Sequence, residues 1–321
     1  MVETPSGKTA ADENFPVGSW LLARRLRPHV ARFYAFARAI DDIADNPVLQ
    51  PADKVARLDA FGAALDGGHA ADPAFAKAHR LRQSLAETAV SARHCHDLIA
   101  AFKQDATKLR YRNWGELMGY CNLSAAPVGR YLLDLHGEAP AAYPASDALC
   151  NALQVINHLQ DCKDDYRNLD RVYIPLDWMA ETGAGVAELD ARRASPALRA
   201  VLHRTLDAVA ELLAAARPLP GRLKGPRLAM EATVILCIAE RLAVLLRRRD
   251  PLAGRVVLSP PGFLRCGVQG VFRALFIRAR GVDPHDRAER ALGRRTGGDL
   301  QRGKEGSVGK EREESVVKGL D

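Results

Sequence analysis

Apolar residues return every three or four positions along most of this chain, and nowhere do they alternate for more than a few residues. From Arg27 to Ala44, the residues Val30, Phe33, Tyr34, Ala37 and Ile40 mark one helical face. Pro28 suits the first turn, and Asn46-Pro47 ends the helix. Comparable patterns predict helices at about 52–65, 74–91, 94–108, 113–136, 146–166, 195–216, 226–247 and 261–279, with Pro127 kinking the one at 113–136. Gly67-Gly68, Gly183/Gly185, Pro218/Pro220 and Pro260-Pro261 mark loops. Only 6% of residues are aromatic, which argues against a β-sandwich, and 47% are hydrophobic over 321 residues, enough for one large core. The expected fold is therefore all-α.

The net charge is +7 and the pI about 9.2. From Gly281 to Asp321 there are nine Lys/Arg and nine Asp/Glu, so the excess belongs to residues 1–280. We read 1–280 as one helical domain and 281–321 as a disordered charged tail. A basic excess allows nucleic acid, acidic lipid or phosphate as partner. There is no zinc-finger spacing, aromatic RNP box or basic arm, so no nucleic-acid partner is expected. Six cysteines without a CxxC pair read as reduced thiols, and the acidic, Pro-containing N-terminus does not resemble a signal peptide. Glu231, Glu240 and Arg241 interrupt the longest apolar run, Leu228 to Leu246, which argues against a membrane span. The expected location is cytoplasmic, with peripheral contact at the inner membrane as a variant.

Two acidic helical surfaces carry the chemistry. Asp41 and Asp45 lie one turn apart, with Arg38 and Tyr34 one and two turns before them on the same face. Such a pair either binds a hard cation that also grips phosphate or forms a solvated helix end. Gln154, Asn157, Asp161 and Asp165, spaced three, four and four, share one side of another helix, with Leu153, Ile156 and Leu159 beside them. Burying an amide and several acids unpaired is costly; Mg²⁺ or a basic partner would offset that cost, and an outer polar face is the alternative. Jointly, the two clusters could clamp one diphosphate across a bundle.

FYAFARAIDDIAD, YCNLSAAPVGRYL, LQVINHLQDCKDDY and DRVYIP resemble the squalene and phytoene synthase family from about Asn14 to Ile277. That resemblance implies a single-domain class I isoprenoid synthase bundle with a central cavity. It implies that Asp41, Asp45, Asn157, Asp161 and Asp165 bind Mg²⁺. It places Tyr34, Arg38, Gln154 and Tyr173 at the substrate, and gives Tyr120, Arg38 and Asp105 catalytic roles. Three stretches depart from the family pattern: Glu13 to Ser19 lacks a Ser-Phe pair, Ser124 to Gly129 replaces VAGxVG, and Gln160 stands where an Arg often does. These departures look like one branch, the bacterial hydroxysqualene synthases of the hopanoid pathway. That branch converts presqualene diphosphate and water to hydroxysqualene and diphosphate. The alternatives are presqualene diphosphate or squalene synthase condensing two farnesyl diphosphates, and a non-catalytic prenyl-lipid-binding protein within a pathway complex. No GxGxxG follows a strand, and no NADPH is expected.

Other signals are set aside. His94-Cys95-His96 lacks a second ligand pair and reads as a surface or cap feature. Arg247-Arg248-Arg249 reads as a helix C-terminus, with acidic lipid as the alternative. Asp45→Asn or Asp161→Asn is expected to cut turnover by orders of magnitude, to leave the fold intact and to relieve repulsion in the metal-free protein.

Overall fold

The computed structural model describes residues 2–3, 21–70 and 72–280, the last three of these without side-chain detail. Among them regular structure is helical, apart from one isolated bridge between Arg110 and Val172. The chain divides into two compact units at Leu275/Phe276. The expected tail, 281–321, lies outside the described residues.

The helices are α1 (Arg27–Ala44), α2 (Pro51–Asp66), α3 (Ala76–Thr88), α4 (Arg93–Thr107), α5 (Trp114–Ser124) and α6 (Ala126–Leu135). They continue as α7 (Tyr143–Leu169), α8 (Leu176–Thr182), α9 (Pro196–Ala216), α10 (Leu219–Arg222), α11 (Pro226–Arg248) and α12 (Pro260–Arg280). Among these, no helix is long and apolar enough to cross a membrane. α7 packs against α5, α6, α9 and α11, whereas α1 packs against α2, α3 and α4. α4 touches both α1 and α6, so it joins the two halves.

Periodicity explains why these segments bury the faces they do. Phe36, Ile40 and Ile43 of α1 are fully buried. Pro28 stands in the first turn of α1, where a missing N–H costs nothing. At the other end, Lys54 Nζ and Arg171 Nη2 each donate to the Ala44 carbonyl at 2.8 Å. Two cations thus satisfy and charge-complement the α1 C-terminus.

The segment expected as one kinked helix is two. Ala125 (φ −117°, ψ −48°) separates α5 from α6, and Pro127 lies in the first turn of the second. Proline starts a helix more readily than it bends one, because its first-turn N–H would have had no partner. α8, capped by Gly183 in the left-handed region (φ 75°), was not anticipated. His94 is buried, with Nε2 2.7 Å from Asp134 Oδ2, so it is no surface feature; α4 turns it toward α6.

α6 approaches α7 closely at Gly129. A Cβ there would lie 2.5 Å from Ser146 Oγ and 2.6 Å from Cys150 Sγ. Gly129→Ala is therefore expected to destabilise the protein by about 1–3 kcal/mol through overpacking, read by urea unfolding. An unchanged midpoint would show that the two helices separate freely.

Candidate active site

α1 and α7 line one cavity of about 410 Å³, within the range of small-molecule sites. α1 contributes Tyr34, Arg38, Asp41 and Asp45; α7 contributes Gln154, Asn157, Asp161 and Asp165. Asp105 of α4, Tyr120 of α5 and Tyr173 after α7 complete the lining residues expected from sequence. All eleven expected residues thus meet at one cavity. On both helices the acids occupy the C-terminal part, while Val30 and Phe33 of α1 and Leu149 and Leu153 of α7 line it earlier. The cavity is acidic along one stretch and apolar along another.

Each acid of the first motif has its own cation. Arg38 Nη1 lies 3.0 Å from Asp41 Oδ2, and its Nε donates to Asp42 Oδ1 at 3.2 Å. Asp42 is buried and does not line the cavity; it anchors Arg38. Asp45 accepts from Arg171 Nη1 at 2.5 Å. Buried Arg171 also donates through Nε to the Asp105 backbone carbonyl at 3.1 Å. Burial opposes its charge, yet Tyr173, Asp105 and Asp45 hold it above the ordinary guanidinium range. Arg171 therefore ties the ends of α1 and α4 to the segment that follows α7.

Asp105 is the centre of a second network. Tyr120 OH donates to its Oδ2 at 2.6 Å, and Tyr173 OH donates to its Oδ1 at 2.8 Å. Burial pushes the carboxyl up to about 6, while Arg171 and the two phenols pull it back. Both phenols are raised well above their usual range, first by burial and then by Asp105. His158 stacks on Tyr173 with ring centroids 3.6 Å apart. Burial, then Arg171, lowers it to about 3, so its ring is neutral near pH 7. Tyr111 packs 5.4 Å from Tyr120 and 5.6 Å from Tyr173. The result is an aromatic wall, built of neutral rings, beside an ionisable carboxyl.

The second motif is crowded with negative charge. Burial, then Asp161 and Asp45, raises Asp165 to about 8. Asp161 is forked by Arg255, at 2.8 Å from Nε and 3.2 Å from Nη2. Gln160 explains how Arg255 arrives there. It is buried, and its side-chain amide donates to the Val256 carbonyl, pinning the segment after α11 onto α7.

These donors fit Mg²⁺. They are hard oxygens, and burial, then the nearby Asp161 and Asp45, holds the Asp165 carboxyl up. Among the described residues no three His, Cys, Asp or Glu converge on a single point.

Arg171, Arg255 and His158 were not anticipated as site residues. His158 follows Gln154 by one helical turn, a signal available in the sequence. The two arginines had none, because their partners lie far away along the chain.

The squalene/phytoene synthase family model matches residues 8–261. The chain belongs to that family. A hydroxysqualene synthase from Rhodopseudomonas palustris is 44% identical over 282 residues, covering 88% of this chain and 96% of that protein. One from Zymomonas mobilis is 42% identical over 253 residues, covering 78% and 84%. Among solved structures, squalene synthase HpnC from Alicyclobacillus acidocaldarius is 32% identical, covers 75% of this chain and 90% of that one, and superposes with a TM-score of 0.66. A ligand-bound dehydrosqualene synthase, 20% identical with a TM-score of 0.67, covers 80% and 90% and shares the fold. The class I isoprenoid synthase bundle expected of the squalene/phytoene synthase family is thus the fold this chain has.

Proposed function

We propose that this protein converts presqualene diphosphate and water to hydroxysqualene and diphosphate, with Mg²⁺ held by Asp41, Asp45, Asn157, Asp161 and Asp165. One observation carries the reading: two acid-bearing helical surfaces and a tyrosine-rich wall open onto one cavity whose remaining lining is mostly apolar. The hydroxysqualene synthases at 44% and 42% identity support the choice of substrate within the family.

Bound Mg²⁺ supplies charge neutralisation for the departing diphosphate. Arg38, held by Asp41 and Asp42, adds a donor on that side, and Tyr34 and Gln154 orient the substrate. The C–O bond breaks with its electron pair leaving on diphosphate. The cationic carbon skeleton then lies against Tyr120, Tyr173 and neutral His158, whose faces attract a cation without adding to it. Water forms the new C–O bond and loses a proton. Asp105, reached through the Tyr120 hydroxyl, accepts it.

This assignment sets a pH dependence. Asp105 must be ionised to act, so turnover is expected to fall as pH drops through about 6. Asp105→Asn removes that limb along with most of the rate, by about 10²–10⁴-fold. The groups facing Asp105 are Tyr120, Tyr173, Arg171 and Asp45; the two phenols stay neutral and Arg171 stays charged through that window. A pH–rate series on Asp105→Glu checks the assignment, since an Asp105 limb should move with the new carboxyl.

The squalene synthase at 32% identity favours a second reading, condensation of two farnesyl diphosphates. Purified protein with Mg²⁺ and no NADPH, given each substrate separately, decides between them. Hydroxysqualene from presqualene diphosphate supports our proposal. Consumption of farnesyl diphosphate to presqualene diphosphate supports the second. The cytoplasmic location, and association with neighbouring pathway enzymes, form part of the same proposal.

A further inference from the structure

A surface helix normally buries its apolar stripe and turns polar residues to water. α12 inverts that arrangement over its first sixteen residues, Pro260 to Leu275. Its inner face closes on α11. A Cβ on Gly270 would lie 2.6 Å from the Val234 Cα, and Cys266 and Ala274 are buried. Its outer face carries Leu264, Val268, Phe272 and Leu275, at spacings of four, four and three, so they form one ridge. They are 70%, 50%, 69% and 53% exposed.

The charge beside this ridge has one sign. α12 has no Asp or Glu. Each of three ridge residues is followed by a polar one, in Leu264-Arg265, Val268-Gln269 and Phe272-Arg273. Arg265, Gln269 and Arg273 line a groove against α11 together with Arg241. The single acid lining that groove, Glu240, is engaged by Arg217 at 3.1 Å and Arg273 at 3.3 Å. Arg241 and Arg265 therefore have no acid of their own within it.

We propose that α12 docks this protein onto an anionic phospholipid surface, with the Leu264–Leu275 ridge entering the acyl boundary and the Arg241/Arg265 groove taking lipid phosphates. An apolar face edged by arginine is the pattern of a helix that lies in a membrane interface. A second copy fits less well, because ridge-to-ridge pairing would bring two acid-free helices and their arginines together. The placement also serves a greasy substrate. On its side away from α12, α11 presents Leu228, Ala232 and Ile235 to the cavity, so the docking face and the pocket share one helix.

The test uses the full chain and vesicles of phosphatidylcholine with or without phosphatidylglycerol. Co-sedimentation is expected with the phosphatidylglycerol vesicles only, and it should weaken as salt rises. Leu264→Asp/Phe272→Asp should reduce binding at least about tenfold. Arg241→Glu/Arg265→Glu should abolish the preference for the anionic lipid. Both variants should keep the wild-type melting temperature, since the altered side chains lie at the surface, and wild-type turnover of detergent-dispersed presqualene diphosphate. Sedimentation reads no turnover, so its failure and a failure of the proposed reaction are distinguishable. Wild-type protein that ignores both vesicle types overturns the proposal, and so does a ridge variant that binds as wild type does. A dimer that the ridge variant splits, seen by analytical ultracentrifugation, overturns it by assigning the face to a second copy.

Discussion

Asp165→Asn is expected to cut turnover of presqualene diphosphate about a thousandfold and to raise the melting temperature of the metal-free protein. The two effects share one cause. Asp165 lies in the cavity with Asp161 and Asp45 near it, and burial with those charges raises its carboxyl to about 8. In the folded protein it keeps its proton to that pH; unfolded, it loses it near the ordinary carboxyl value of about 4. The folded state thus binds the extra proton between those values, and stability declines as pH rises through them. Above about 8 the decline is complete. Asparagine cannot ionise, so the variant should show a flatter profile from pH 5 to pH 9, and its advantage should be largest at the alkaline end. Calorimetry in a chelating buffer reads the stability, and steady-state rates at saturating Mg²⁺ read the turnover. A variant with a wild-type rate would remove Asp165 from the machinery. One that melts lower at pH 9 would show that a protein cation, not an added ion, balances the site.

Arg171→Met is expected to destabilise the protein by about 3–5 kcal/mol, the range for removing one partner of a buried ion pair. Arg171 is buried and holds Asp45, the Ala44 carbonyl and the Asp105 carbonyl at once. Methionine fills much of the volume but satisfies none of these oxygens. Asp45→Asn should cost stability as well, because it leaves the guanidinium short of its charged partner. The Arg171 contact argues against the expectation that Asp45→Asn would relieve repulsion and leave the fold intact; that expectation fits Asp165, whose carboxyl is raised by burial and by Asp161 and Asp45. Combining Arg171→Met with Asp45→Asn should cost less than the sum of the two single changes, since each removes the other's unpaired group. Denaturant unfolding of the four proteins measures this. Strict additivity would mean that the two side chains do not depend on each other.

The acidic motifs show how far local spacing reaches. Asp41 and Asp45, or Gln154, Asn157, Asp161 and Asp165, must share a face once their segments are helical, because the helix repeat leaves no other choice. That the two faces meet at one cavity required the packing of α1 and α7 through α4 and α6. Pro127 shows the opposite case. A proline within an apolar pattern is compatible with a kink or with a new start, and backbone geometry at Ala125 selected the start.

What the sequence determined alone is therefore the helical class, most helix positions and which acidic and amide side chains share each helix face. These depend on residues within a turn or two of one another, where geometry is nearly invariant. What the tertiary structure decided is which charges are compensated. Asp45 meets Arg171, Asp161 meets Arg255 and Asp105 meets Tyr120 and Tyr173. Those partners are brought together by chain folding over long separations, and desolvation acts only once the walls have closed. A carboxylate's neighbours in space, not in sequence, set whether it is a fixed anchor, a base or a group short of a cation.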